Sequence, residues 1–123
     1  MMRNRKTKPP PLAGRVRELI DGYIASDVAF REALIKDAIE TMLAGDVETG
    51  KAILRDYIKA TEGFEKLGRA LSTPSKSLIR MFGPRGNPQA RNLFGVIGYL
   101  QKRDGLDLRV SSIRKKRPLR RAA

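Results

Sequence analysis

The sequence predicts an all-α domain of five or six helices that ends in a short β-strand. Over most of residues 12–102, apolar residues recur at spacings of three and four, as in helices that bury one face. Residues that cap or end helices separate these segments. The chain has 123 residues, a length that fits one domain. We expect this domain to span residues 12–110, between a disordered basic arm, residues 1–11, and a disordered basic tail, residues 111–123.

Three longer helices are predicted for the first half of the domain. Either Ser26 or Asp27 can cap the second helix, and Gly45 is expected just past its end. Asp46 can cap the third helix, which extends to about Ala60. The first helix is expected to bury one apolar stripe, formed by Val16, Leu19, Ile20, Tyr23 and Ile24. The second is expected to bury Val28, Phe30, Ala33, Leu34, Ala38, Ile39, Met42 and Leu43.

Two short helices joined by a tight turn are predicted next, in the arrangement of a helix-turn-helix. The first covers residues 64–71. Thr73 is a favourable cap for the second, and Pro74 fits its first position, because no helical hydrogen bond needs an N–H there. The second helix extends to about Phe82. The turn requires a left-handed backbone, for which glycine is the usual residue, and here Ser72 takes that place.

A last helix and a strand complete the prediction. Asn87 and Pro88 repeat the cap-then-proline pattern and predict a helix that ends near Lys102. Residues 106–110 alternate apolar and charged side chains, which is the pattern of a short strand. Since a lone strand is not stable, it needs a partner, and a symmetric copy of the chain is the simplest one. The pattern therefore predicts a homodimer.

The charges are segregated along the chain. The formal net charge is +13, yet residues 11–65 contain more acidic than basic residues. Residues 66–103 contain eight basic residues and no acidic one, and both ends of the chain are basic. A Lys or Arg close to a phosphate releases condensed counterions, so a stretch without carboxylates suits a surface that faces a polyanion. This pattern favours a nucleic acid as partner.

The composition excludes several classes of site. Cys and His are both absent, which removes thiolate and imidazole catalysis and the usual zinc ligands. We therefore expect no enzymatic activity, no metal and no cofactor. No apolar run approaches the roughly 20 residues that a membrane span needs. The basic N-terminus leads into three prolines, not an apolar segment, so it is not a signal peptide, and a cytoplasmic location is expected.

The second short helix carries the side chains that suit the major groove of DNA. Lys and Arg can bond to guanine, and an apolar group can contact the thymine methyl. If Leu78, Met81 and Phe82 face the core, the opposite face is predicted to contact bases through Ser75, Lys76, Ile79 and Arg80. Contacts to phosphates are predicted for Lys66, Arg69, Arg85, Asn87 and Arg91.

The segment from Leu67 to Pro88 resembles the core of a known family, the HigA-like addiction-module antidote proteins. These are antitoxins of the Xre-type helix-turn-helix class, and the resemblance covers about residues 27–110. The family's recognition helix and the Gly-Asn-Pro after it match residues 77–82 and 86–88 at the same spacing, and further similarity lies in residues 44–46, 60–64 and 105–110. The sequence departs from the pattern where the family usually has glycine, leucine and an aromatic residue, namely at Ser72, Thr73 and Ile79.

The resemblance implies two activities, operator binding as a dimer and neutralisation of a small basic ribonuclease toxin of the RelE/ParE type. The acidic half of the chain suits such a partner, although an ordinary solvated face is the better explanation; the candidates are Asp27, Glu32, Asp37, Glu40, Asp46, Glu48 and Asp56. Two alternatives stay open. The chain could bind nucleic acids non-specifically through its basic tails, or neutralise a toxin without binding DNA.

Overall fold

The computed structural model describes residues 12–116, and over this range it contains six α-helices and no β-strand. They are α1 (Leu12–Ser26), α2 (Val28–Leu43), α3 (Val47–Ala60), α4 (Gly63–Leu71), α5 (Ser75–Met81) and α6 (Ala90–Asp104). The predicted all-α fold is confirmed. The predicted arm, residues 1–11, and the last part of the predicted tail, residues 117–123, lie outside the described residues. Within residues 12–116, no helix is both long and apolar enough to cross a membrane.

The hydrophobic core is built around α3. Leu54, Tyr57 and Ile58 of this helix have no exposed surface. α2 packs along α3 and contributes Ile35 and Ala38. The later helices close the core with Phe64, Leu67, Leu78, Phe82, Val96, Ile97 and Leu100. One core therefore supports both the acidic first half of the domain and the basic second half.

The helix starts show which cap predictions hold. Asp27 accepts a hydrogen bond from the backbone N–H of Phe30, and Asp46 accepts one from Thr49, so both predicted caps are confirmed. The cap predicted at Thr73 is wrong, because its hydroxyl lies 3.2 Å from the carbonyl oxygen of Leu71, to which it donates.

The start predicted for the last helix is also wrong. α6 begins at Ala90, and the residue before it, Gln89, has extended backbone angles of φ −68° and ψ 148°. Asn87 and Pro88 belong to the loop that precedes the helix. Asn87 therefore lies three residues before the first helical residue and does not cap it.

Two predicted apolar faces are more exposed than expected. In α1 only Ile24 is buried, whereas Leu19 is 61% exposed and Tyr23 is 50% exposed. In α2, Val28 and Leu43 are exposed, and the fully buried Ile35 was not in the predicted face. Periodicity identified α1 and α2 correctly, but it did not show how much of each face the rest of the chain covers.

The predicted C-terminal strand does not form in the described part of the chain. The backbone N–H of Leu106 donates to the carbonyl oxygen of Gln101, and that of Leu108 donates to the side-chain oxygen of Gln101. Both leucines pack against the core of the same chain, while Val110 is exposed. This segment finds its partner in α6, so it needs no second copy of the chain for its backbone hydrogen bonds.

A buried polar network joins α2, α3 and α6 at the C-terminal end of α6. The Tyr57 hydroxyl donates to the carboxylate of Asp104, which also pairs with Arg103 at 2.7 Å and with Arg31 at 3.8 Å. Burial and the hydrogen bond to Asp104 raise the pKa of the Tyr57 phenol. Glu62, at the start of α4, extends the network by pairing with Arg103 at 3.2 Å.

Candidate nucleic-acid interface

α4 and α5 are joined by three residues and a sharp change of direction. Ser72 has φ 53° and ψ 41°, the left-handed conformation that was predicted at this position. The N–H of Thr73 donates to the carbonyl oxygen of Gly68 at 2.9 Å and closes the turn over the end of α4. Pro74 then has extended backbone angles, and α5 begins at Ser75. The two helices are therefore separate elements.

The tightness of this turn depends on a glycine in α4. A Cβ atom added at Gly68 would lie 2.5 Å from the carbonyl oxygen of Thr73 and 3.3 Å from the backbone nitrogen of Ser75. Both neighbours are backbone atoms, which cannot rotate away as a flexible side chain would. Gly68 thus permits the close approach of α4 to the start of α5.

The substitution Gly68→Ala is expected to lower the free energy of unfolding by about 1–3 kcal/mol, because the added methyl forces the turn away from α4. The matched control is Gly22→Ala in α1, where an added Cβ meets no atom within 4 Å. That variant should gain about 0.5–1 kcal/mol, since alanine is the better helix former. Urea unfolding followed by circular dichroism measures both. Equal changes in the two variants would contradict this account of the turn.

The core fixes which side of α5 faces solvent. Leu78 of α5 is buried with Leu67 of α4, and the rings of Phe64 and Phe82 lie 6.0 Å apart between their centres. The opposite side of α5 is exposed and presents Lys76, Ile79 and Arg80. Three of the four residues predicted to face bases therefore lie on one free surface.

The fourth predicted base contact, Ser75, lies differently. It is half-buried, and its hydroxyl lies 3.5 Å from a carboxylate oxygen of Glu65 in α4. Ser77 is exposed instead, and it lines a groove together with Arg80. In the sequence, Ser77 lies three residues before Arg80, about one helical turn, and this spacing could have identified Ser77 as a further residue of the same surface.

The residues predicted to contact phosphates are all exposed: Lys66, Arg69, Arg85, Asn87 and Arg91. Lys66 and Arg69 lie on α4, Arg85 and Asn87 on the loop between α5 and α6, and Arg91 in the first turn of α6. Arg69 lies 3.9 Å from Glu65, and both side chains are more than two-thirds exposed, so this ion pair is weak.

A groove of about 540 Å³ brings several of these residues together between α5 and the start of α6. Arg80, Asn87 and Arg91 line it, with Ser77 and Asn92, which were not predicted. Leu78 and Val96 contribute apolar parts of the lining, and among residues 12–116 no carboxylate lines the groove. The groove therefore offers two guanidinium groups and neutral hydrogen-bonding groups to a ligand.

The electrostatics of this surface follow from the missing carboxylates. Of the eight basic residues between positions 66 and 103, only Arg69 and Arg103 form an ion pair within the described residues. The other six have no acidic partner within 4.0 Å in that part of the chain: Lys66, Lys76, Arg80, Arg85, Arg91 and Lys102. Such unneutralised, exposed cations are what an anionic partner requires.

Comparisons of the chain with protein-family models, with curated proteins and with solved structures found no match.

Proposed function

We propose that this chain is a cytoplasmic, sequence-specific DNA-binding regulator in which α4, the turn and α5 act as a helix-turn-helix. The observation that carries the proposal is the exposed face of α5, where Lys76, Ile79 and Arg80 follow a sharp turn at Ser72. Within the described residues, neither Lys76 nor Arg80 forms an ion pair. A recognition helix needs this combination, because it must enter the major groove while its apolar side stays in the core.

Each group of exposed residues has a role in this proposal. Lys76 and Arg80 would donate hydrogen bonds to base edges, and Ile79 would contact a thymine methyl. Arg85, Asn87 and Arg91, together with Lys66 and Arg69 on α4, would contact phosphates and position the helix. Ser77 lies beside Arg80 at the groove and adds a neutral hydrogen-bonding group. If the chain dimerises, two copies of α5 would read two half-sites about one helical turn apart.

The test is binding of the full chain to duplexes selected from a randomised pool. We expect the selected duplex to bind about 1,000-fold or more tightly than a scrambled duplex of the same composition. The slope of log K against log salt should be about −4 or steeper, since each of the four cationic phosphate contacts contributes about −0.9 and the basic tails add to them. A response to salt that is flat would contradict DNA binding, and equal affinity for both duplexes would contradict the role of α5.

A variant with neutral tails separates this proposal from binding through the tails. In it, glutamine replaces every basic residue of residues 1–10 and 111–123. We expect the preference for the selected duplex to remain and only the overall affinity to fall, because the tails contact phosphates without reading bases. Complete loss of binding would favour the non-specific alternative.

A second candidate function is binding of a basic protein partner, such as the toxin that the resemblance implies. Among the seven acidic candidates, Asp27 and Asp46 cap helices, while Glu48 pairs with Lys51 and Asp56 pairs with Arg17. The remaining three lie on α2, are exposed and have no ion pair within the described residues: Glu32, Asp37 and Glu40. These three carboxylates favour α2 as the surface for a cationic partner.

Co-purification with the product of a neighbouring reading frame tests this candidate. Charge reversal at Asp37 and Glu40 should weaken such a complex and leave DNA binding unchanged. Retention of the complex by the reversed variant would exclude this surface.

A further inference from the structure

The most deeply buried charge in the described part of the chain lies outside the candidate interface. The side chain of Lys51, in the first half of α3, is only 1% exposed. Its ammonium donates to the carbonyl oxygens of Gly83, at 3.0 Å, and Gly86, at 2.7 Å, and pairs with Glu48 at 3.1 Å. These three partners match the three donors of a lysine. A buried ammonium satisfied in this way favours one arrangement of the loop, because a shifted loop would leave two of its three donors buried without acceptors.

The loop that Lys51 holds, residues 82–89, connects α5 with α6 and is packed closely against the end of α5. A Cβ atom added at Gly86 would clash with the backbone carbonyl oxygens of Arg80 and Met81. The N–H of Gly86 also donates to the carbonyl oxygen of Gly83 at 3.0 Å. A second cation of α3, Arg55, donates to the carbonyl oxygen of Phe82 at 3.3 Å. Two side chains of α3 therefore bind carbonyl oxygens that follow α5.

We propose that Lys51 is a positioning residue for the candidate DNA surface. By fixing residues 82–89, it sets the distance between the base-facing side of α5 and the phosphate-facing Arg85, Asn87 and Arg91. Lys51 itself is too buried to contact DNA. The effect of Lys51 on DNA binding rests on the proposed function, whereas its effect on the loop is independent of that function.

The test compares Lys51→Met with Lys59→Met in the full chain. Both variants lose one positive charge from α3, but Lys59 is exposed and donates no hydrogen bond to the loop within the described residues. Each variant is studied at a temperature at which circular dichroism shows it to be folded. One readout is hydrogen exchange at the Gly86 amide. The other is the salt slope for the selected duplex, which a purely structural loss of stability does not change.

In Lys51→Met we expect faster exchange at Gly86 and a salt slope shallower by about two units, as the contacts of Arg85 and Arg91 are lost together. In Lys59→Met neither should change. Adding Arg91→Ala to Lys51→Met should produce no further loss in slope, because coupled residues are not additive. Unchanged exchange at Gly86, or an unchanged slope in folded Lys51→Met, would overturn the inference.

Gly86→Ala provides the second variant in case Lys51→Met does not fold. It disturbs the same loop with Lys51 and the net charge intact, so it should also make the salt slope shallower, and a normal slope would overturn the inference. If the unmodified chain binds no DNA, the proposed function fails, and the exchange result alone then decides whether Lys51 holds the loop.

Discussion

Asp104→Ala is expected to lower the free energy of unfolding by about 3–5 kcal/mol, the range for removing one partner from a buried ion pair. The Asp104 side chain is 7% exposed and accepts from Tyr57 while it pairs with Arg31 and Arg103. Its removal leaves the Tyr57 hydroxyl buried without an acceptor. It also leaves Arg31, whose Nε already lacks a hydrogen-bond partner, without its nearest carboxylate.

The matched control is Asp107→Ala, three residues further along. Asp107 pairs with Arg109 at 2.8 Å, but the two side chains are 71% and 78% exposed. An exposed ion pair of this kind contributes about 0–1 kcal/mol, so this variant should unfold almost as the parent does. Urea unfolding of both variants, followed by circular dichroism, gives the comparison. Similar losses for the two substitutions would show that the network around Asp104 does not stabilise the fold as argued.

The features that the sequence predicted well depend on neighbouring residues. Asp27 and Asp46 cap their helices because the N–H groups they bind are three residues away, so local chemistry decides the outcome. The left-handed turn at Ser72 was found for the same reason, since a helix that must reverse direction within three residues has few backbone options. The exposed face of α5 followed from the spacing of Leu78 within a short helix.

The features that the sequence did not predict depend on contacts between distant residues. Lys51 lies three residues before Leu54 and seven before Ile58, a spacing that places it on the buried face of α3. Its partner Gly86 is 35 residues away, so the local pattern does not show what binds the buried ammonium. α6 starts at Ala90 and not at the predicted position, because the preceding loop packs against the end of α5. This packing outweighs the local preference of Asn87 and Pro88 for a helix start. Tertiary packing overrode a propensity that is weak by comparison.

The apolar stripe of α1 illustrates a related limit. Helical spacing showed which residues share a face, and the helix formed as expected. Spacing alone does not show whether another element covers that face, and only Ile24 of the stripe is buried in the described structure. The same reasoning applies to residues 106–110, where alternation predicted a strand but α6 offered nearer partners for the backbone.

Arg80→Ala and Arg91→Ala test the interface most directly, because Arg80 is proposed to contact bases and Arg91 to contact phosphates. Arg80→Ala should weaken binding to the selected duplex by about 1–3 kcal/mol and reduce the preference over a scrambled duplex, since it removes hydrogen bonds to a base. Arg91→Ala should weaken both duplexes alike and make the salt slope shallower by about one unit, since it removes one phosphate contact.

The control for these substitutions is Lys36→Ala, which removes an exposed positive charge from α2, outside the carboxylate-free stretch of residues 66–103. It should change neither the preference nor the slope, because its charge lies among acidic residues. Titrations of all three variants against both duplexes at several salt concentrations provide the data. Equal losses on both duplexes for Arg80→Ala and Arg91→Ala would mean that α5 reads no bases. Both arginines would then contact phosphates only, and the cationic surface would bind DNA through its charge alone.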